Sequence, residues 1–344
     1  MLENTRNKNP FGERNSVGMI AYNRFIFAFF SKKRTDEIMN KSKRATYIRN
    51  LYGALHTLSG VTDDKIALSA QNHMNVKSCQ RRKKRNEDCE ETYLQLNPNK
   101  GQPNNSMIKS YSAFEKKMNS IFEDIGGNAD RFRIKRADMS FNSDVKGDYE
   151  AYRKLNRLIL CCLSDAYTVK NCFESRNIWT FDSLNLAIKA DEFEAENYNK
   201  ELESHGSVPT TNRLELRSLK MRDTSTLRHE FMNKWCARLD KAIDHFYAVQ
   251  MRYNDSLERL YREDLAKPKR FRRYISRNAF LIQYSDCIFC TDQLVDLMER
   301  FGAKNPESSA KNFKRYHKTE FFSKADLEVV VKAIKKCMKR YFKN

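Results

Sequence analysis

No stretch of this 344-residue chain is apolar enough to cross a bilayer. The longest such run, MIAYNRFIFAFF at residues 19 to 30, falls well short of the roughly 20 residues a membrane helix needs and reads as a strand. The first 16 residues mix charges of both signs with asparagine and lack the apolar centre of a signal peptide, so the expected location is the cytoplasm, with no membrane partner. No repeat of fixed period is present, which argues against a solenoid or a propeller. Acidic side chains are in deficit, 44 against 64 lysines and arginines, and the formal charge is +20. A polyanion is therefore the expected partner, nucleic acid before an acidic membrane surface. Nine cysteines, an odd number, fit reduced thiols. Cys287 and Cys290 form a lone CxxC with no second pair, which reads as a buried helix face rather than a zinc site. With 40% hydrophobic residues the chain has enough apolar surface for one large or two ordinary domains.

Apolar side chains at helical spacing (Ile38, Ala45, Ile48, Leu51, Leu55) predict a helix over 34 to 58. The block Arg81, Arg82, Lys83, Lys84 and Arg85, followed by acidic residues, reads as a hairpin tip leading into the alternating strand ETYLQLN, and an Asn, Pro and Gly cluster ends it. A helix follows over 106 to 125, a strand over 132 to 143 and a helix over 147 to 166. Three more strands are expected at 183 to 190, 192 to 200 and 211 to 219. Beyond residue 223 the pattern is almost wholly helical. The predicted class is α+β, an antiparallel sheet with helices on one face followed by a mainly helical C-terminal domain, with the boundary between residues 1–223 and 224–344.

Successive strand side chains point to opposite faces, so alternation maps two surfaces. Ala137, Met139 and Phe141 oppose Arg136, Asp138, Ser140 and Asn142. Leu214 and Leu216 oppose Arg213, Glu215 and Arg217. Phe193 and Ala195 oppose Glu194, Glu196, Tyr198 and Lys200. One face is apolar and covered by helices. The other, expected to be open, carries carboxylates, a tyrosine and cations. A solvated sheet face is polar in any protein, and the alternation fits that too. It also suits phosphodiester transesterification. A phenol with an ordinary pKa of about 10 is a poor nucleophile until a cation stabilises the phenolate. Asp138 and Glu215 could hold Mg2+ or Mn2+ through hard oxygen ligands, and Arg213, Arg217 and Lys200 could hold the flanking phosphates.

The succession YLQLNPNK, RADMSFNS, NYNKELE and NRLELRSLK resembles the trans-acting class of rolling-circle replication initiators of small Gram-positive plasmids, in order and approximate spacing over residues 91 to 222. The resemblance implies that Tyr198 is the nicking tyrosine and that Asp138 and Glu215 are metal ligands. Where the family usually has a further acidic residue, this chain has Asn142, with Asp144 following as its possible replacement. Initiators that hold metal with a His-hydrophobe-His pair are excluded, because none of the six histidines has that spacing. The implied partners are plasmid origin DNA, as duplex and extruded single strand, and a host helicase, with a homodimer possible, in a bacterial cytoplasm.

Two further segments bear on DNA. The basic block at 81 to 85 could clamp a phosphate backbone. KPKRFRRYISR at 267 to 277 interleaves Phe271 and Tyr274 with cations including Arg270, Arg272 and Arg273, which suits phosphate contacts and base stacking. The segment 321 to 340 opens with a Ser323 cap signal and reads as an amphipathic helix that docks on its own domain, with a recognition helix as the alternative. The reading is a rolling-circle initiator that nicks and rejoins origin DNA. Its rivals are a relaxase-like nickase of a mobile element and a non-catalytic, sequence-specific DNA-binding protein.

Overall fold

The computed structural model describes residues 51–83, 90–102, 106–144, 149–167, 171–172, 185–205, 211–317 and 321–343. The expected strand at 19 to 30, the first part of the expected helix at 34 to 58, and Lys84 and Arg85 lie outside them.

The strands are β1 (Leu51–Thr62), β2 (Val76–Lys83), β3 (Glu90–Leu96), β4 (Arg133–Asp144), β5 (Asn171–Cys172), β6 (Asn185–Lys189), β7 (Phe193–Asn199) and β8 (Thr211–Ser218). They form one sheet in the order β2-β3-β1-β4-β8-β7-β6-β5, and each neighbouring pair is antiparallel. The longer helices are α1 (Tyr111–Asp124), α2 (Tyr149–Ala166), α3 (Cys236–Asp244), α4 (Phe246–Leu265), α5 (Arg277–Gln283), α6 (Thr291–Arg300), α7 (Pro306–Tyr316) and α8 (Lys324–Tyr341), of which α2 packs on β6, β7 and β8 and α8 on β1. The α+β class with a mainly helical C-terminal region is what the sequence predicts. No described helix is long and apolar enough to cross a membrane.

One expected element is corrected. Leu51 to Leu58 is strand, not helix. Leu51, Gly53 and Leu55 pair with Ser143, Phe141 and Met139, and then a bulge at His56 shifts the register so that Leu58 pairs with Ala137. The extra residue turns the strand spacing of two into a spacing of three, so Leu51, Leu55 and Leu58 fall at i, i+4 and i+7, as on a helix. Gly60 leaves no room for a side chain against β4, since a Cβ there would sit 2.3 Å from the Arg133 carbonyl oxygen.

The apolar face of β4, β8 and β7 (Ala137, Met139, Phe141, Leu214, Leu216, Phe193, Ala195) is fully buried, in one hydrophobic cluster with Leu155 and Ile159 of α2 and with Trp235, Val330 and Ile334 of the C-terminal region. Trp235 Nε1 donates to Ser218 Oγ (3.1 Å), and Cys337 Sγ of α8 donates to the Leu51 carbonyl (3.3 Å). Ser323 caps α8 in a reciprocal capping box with Asp326, and the Ala333, Cys337 and Tyr341 stripe is buried; α8 therefore packs, as its amphipathic pattern predicts. Cys287 and Cys290 are buried thiols outside any disulfide, at a short turn and at the cap of α6 respectively rather than on a helix face; Cys290 Sγ accepts from Gln293 N.

Candidate active site

Register builds the polar face in three cross-strand rows. Thr57, Asp138, Arg217, Glu194 and Lys189 align across β1, β4, β8, β7 and β6. Ser140, Glu215 and Glu196 form the next row, and Asn142, Arg213 and Tyr198 the third. The first row alternates in sign from Asp138 onward, which stabilises neighbouring strands. In the second row Glu215 and Glu196 face each other as like charges, an unfavourable pairing. Arg217 resolves it, bonding Glu215 Oε2 (2.6 Å), Glu196 and Glu194, with Nε 3.7 Å from Asp138 Oδ2. Four carboxylates thus gather on one guanidinium.

Tyr198 stands at the centre of the polar network. Its hydroxyl donates to Glu215 Oε1 (2.7 Å), and Arg213 Nη1 lies 3.4 Å from the same hydroxyl. Arg213 is itself fixed through Nε to Asn142 Oδ1 (2.7 Å). Glu215 Oε1 also accepts from Ser140 Oγ (3.0 Å). Both Asp138 oxygens accept from Arg136 (2.9 and 3.0 Å).

The face is not open as the alternation suggests. Tyr198 is 6% exposed, Asp138 3% and Glu215 2%. Long cationic side chains lie over it, and Met107 Sδ rests against Asn142 Nδ2 (2.7 Å) and Arg213 Nη2 (4.0 Å). A strand pattern fixes which way a side chain points but not what lies above it.

Burial sets the electrostatics. It pushes the Tyr198 hydroxyl far above the ordinary phenol range, and the Glu215 carboxylate adds to this against the opposing pull of Arg213. For Glu215, burial alone would raise the carboxyl, but the His56 ring when protonated, the Arg217 and Arg213 guanidiniums and the Tyr198 hydroxyl outweigh it and hold the group well below the usual range. Asp138 and Glu196 are raised, chiefly by burial, against nearby arginines. The resting state is a protonated phenol donating to an ionised carboxylate.

The other expected residues are placed as follows. Lys200 opens the helical turn Lys200–Glu203 and pairs with Glu203, close enough to act on His56. Asp144 is the last residue of β4; its side chain lies outside the described set. Arg136, Arg213 and Arg217 engage carboxylates or the tyrosine. Arg81 is tied to Thr92 Oγ1 and the Ile66 carbonyl (2.7 and 2.9 Å), whereas Arg82 is exposed and stacks over the Tyr93 ring, 3.5 Å from its centroid. Lys83 ends β2 opposite Glu90. The carboxylate donors gathered here suit magnesium or manganese in type, but both Asp138 oxygens and Glu215 Oε2 are already bonded by arginines, Glu215 Oε1 is taken by Tyr198 and Ser140, and no group of three His, Cys, Asp or Glu among the described residues is arranged around a metal position.

Two residues escape the sequence reading. His56 reaches the site because the bulge in β1 turns it onto the polar face beside Thr57, with Nδ1 3.7 Å from Glu215 Oε1 and 3.1 Å from Thr57 Oγ1. Alternation cannot predict a residue that exists only where alternation breaks. Asn99, within the Asn-Pro-Asn-Lys segment, donates through Nδ2 to the Leu55 carbonyl (2.7 Å) and accepts from Ile108 N (2.8 Å). It therefore joins the residue before the bulge to the loop that carries Met107 over the site.

His56 gives the site a pH signature. Burial first, then Arg213, Lys77 and Lys200, lower its imidazole from 6.5 to about 4 against the pull of Glu215. A histidine depressed in the folded state takes up its proton more readily when unfolded, so its contribution holds above about pH 6.5 and is lost as pH falls toward 4. Between pH 7.5 and 4.5 this amounts to roughly 2 to 3 kcal/mol. Urea denaturation of the wild type and His56→Gln at both pH values should show a smaller acid loss for the variant by about that amount. Equal losses would remove His56 from the network.

The antiparallel sheet thus joins a buried tyrosine, carboxylates and guanidiniums on neighbouring strands. No protein-family model matches the chain, and no match is found among curated proteins. Among solved structures, a rolling circle replication initiator protein from Geobacillus stearothermophilus is similar at 12% identity over 54% of this chain and 84% of that one, with a TM-score of 0.27.

Proposed function

We propose that this chain nicks and rejoins origin DNA as a rolling-circle replication initiator. The observation that carries the reading is the Tyr198 hydroxyl, bonded to Glu215 and adjacent to Arg213. On attack, the Tyr198 oxygen forms a bond to the scissile phosphorus and the bond from phosphorus to the 3′-oxygen breaks. The phenolic proton passes by way of Glu215 to solvent, and the departing 3′-oxygen takes up a proton from solvent to become a hydroxyl. Arg213 stabilises the phenolate as it forms. The tyrosyl phosphodiester keeps the energy of the broken bond, so joining is the same step reversed. Access to Tyr198 requires the side chains over the face to turn outward. Asp138, Glu215 and Asp144 are the expected holders of Mg2+ or Mn2+, but arginines already bond the carboxylates of Asp138 and Glu215, so no part of the step is assigned to a metal. The basic region at 224–344 is assigned to DNA binding on its charge.

Purified protein, supercoiled origin DNA and magnesium should yield nicked circles with protein joined to the 5′ end. Binding without nicking would favour the second reading, a DNA-binding protein without catalysis. The observation behind that reading is the buried Arg217 network, in which each of the four carboxylates already has a guanidinium partner.

A further inference from the structure

The segment after α4 is basic and yet firmly held. Residues 267 to 277 carry Lys267, Lys269, Arg270, Arg272, Arg273 and Arg277 and no acidic residue. The buried Asp264 carboxylate anchors the segment from within, accepting from Arg273 N (3.0 Å) and Tyr274 N (3.1 Å) and pairing with Lys267 (3.1 Å). Arg272 Nε closes back on the Lys267 carbonyl (3.0 Å), and Ser276 caps α5. Tyr274 is taken up by packing: its hydroxyl meets Tyr284 (3.1 Å) and its ring lies edge-on to Phe280.

Two apolar side chains are left outside. Ile275 is 97% exposed and Phe271 60%, the latter with the Arg270 guanidinium 4.7 Å from its ring centroid. A single exposed apolar residue is ordinary. Two of them presented by a pinned turn amid cations make a surface that meets a polyanion with apolar parts. Phosphates satisfy the arginines, and bases are the apolar parts. Base faces are accessible to side chains where they are unstacked, and a ring backed by a guanidinium is a stacking platform. An acidic membrane surface fits less well, because two side chains bury less apolar area than one acyl chain, itself a marginal anchor.

We propose that Phe271 and Ile275 form a contact for unpaired bases, with Arg270, Arg272 and Arg273 on the flanking phosphates, so that this turn holds single-stranded DNA. The inference rests on the reading of the chain as a DNA enzyme but not on its chemistry, and the test is made on Tyr198→Phe protein, which separates binding from nicking. Fluorescence anisotropy would use a labelled 20-nucleotide single strand, the matching duplex and phosphatidylserine vesicles. Phe271→Ala with Ile275→Ser should weaken single-strand binding by about tenfold or more, with little effect on the duplex, and leave the salt slope unchanged. Arg270→Gln, Arg272→Gln and Arg273→Gln together should lower the single-strand salt slope by up to about two units. Single-strand affinity unchanged in the Phe271 and Ile275 variant would overturn the proposal, as would an equal loss on the duplex, or vesicle binding that depends on these two residues while single-strand binding does not. If nicking fails in the separate assay but these shifts appear, the binding site stands and the chemistry does not.

Discussion

Tyr198→Phe is expected to abolish both nicking and covalent attachment to DNA while DNA binding stays close to wild type. The substitution removes one hydroxyl and almost no area, and no second phenol stands in the network among the described residues. It also removes a hydrogen bond to a buried carboxylate, worth roughly 1.5–3 kcal/mol, so a loss of stability must be separated from a loss of chemistry. Ser140 supplies the control. Its hydroxyl donates to the same Glu215 oxygen, so Ser140→Ala should cost a similar amount of stability and retain nicking. Gel separation of nicked from supercoiled circles, with thermal midpoints for both variants, decides the matter. Nicking by the Phe variant would mean that another group is the nucleophile.

Glu215→Ala carries the largest expected effect on stability. Glu215 is the acceptor for Tyr198 and Ser140 and a partner of Arg217, with Arg213 3.7 Å away. Its removal leaves buried guanidiniums with fewer counter-charges, and breaking such a pair costs roughly 3–5 kcal/mol. Replacing Arg217 and Glu215 together by apolar residues should cost less than the sum of the two single changes, because the two no longer strand each other, while Glu194 and Glu196 lose Arg217 in the single and the double variant alike. Urea midpoints for the two single variants and the double complete the cycle. Additive losses would mean that the pair is not coupled and that the cluster does not work as one network. The proposed chemistry adds a second expectation: Glu215→Gln should lower the nicking rate even where the protein is folded, because the amide cannot take the phenolic proton.

The sequence by itself determined the backbone of this result. Strict alternation in β4, β7 and β8 assigned Asp138, Glu215 and Tyr198 to one face and Ala137, Leu214 and Phe193 to the other, because a strand can turn its side chains only two ways. The change to helical spacing after residue 223 likewise predicted the helical C-terminal region. Tertiary structure decided the rest. Strand order and register, which depend on pairings between distant residues, placed Tyr198 against Glu215 and Arg213 and made Arg217 a shared counter-charge rather than a free phosphate ligand. A bulge brought in His56, which no periodic pattern can signal. Burial, which depends on everything stacked above a residue, turned an expected open face into a covered one and set the protonation of its tyrosine.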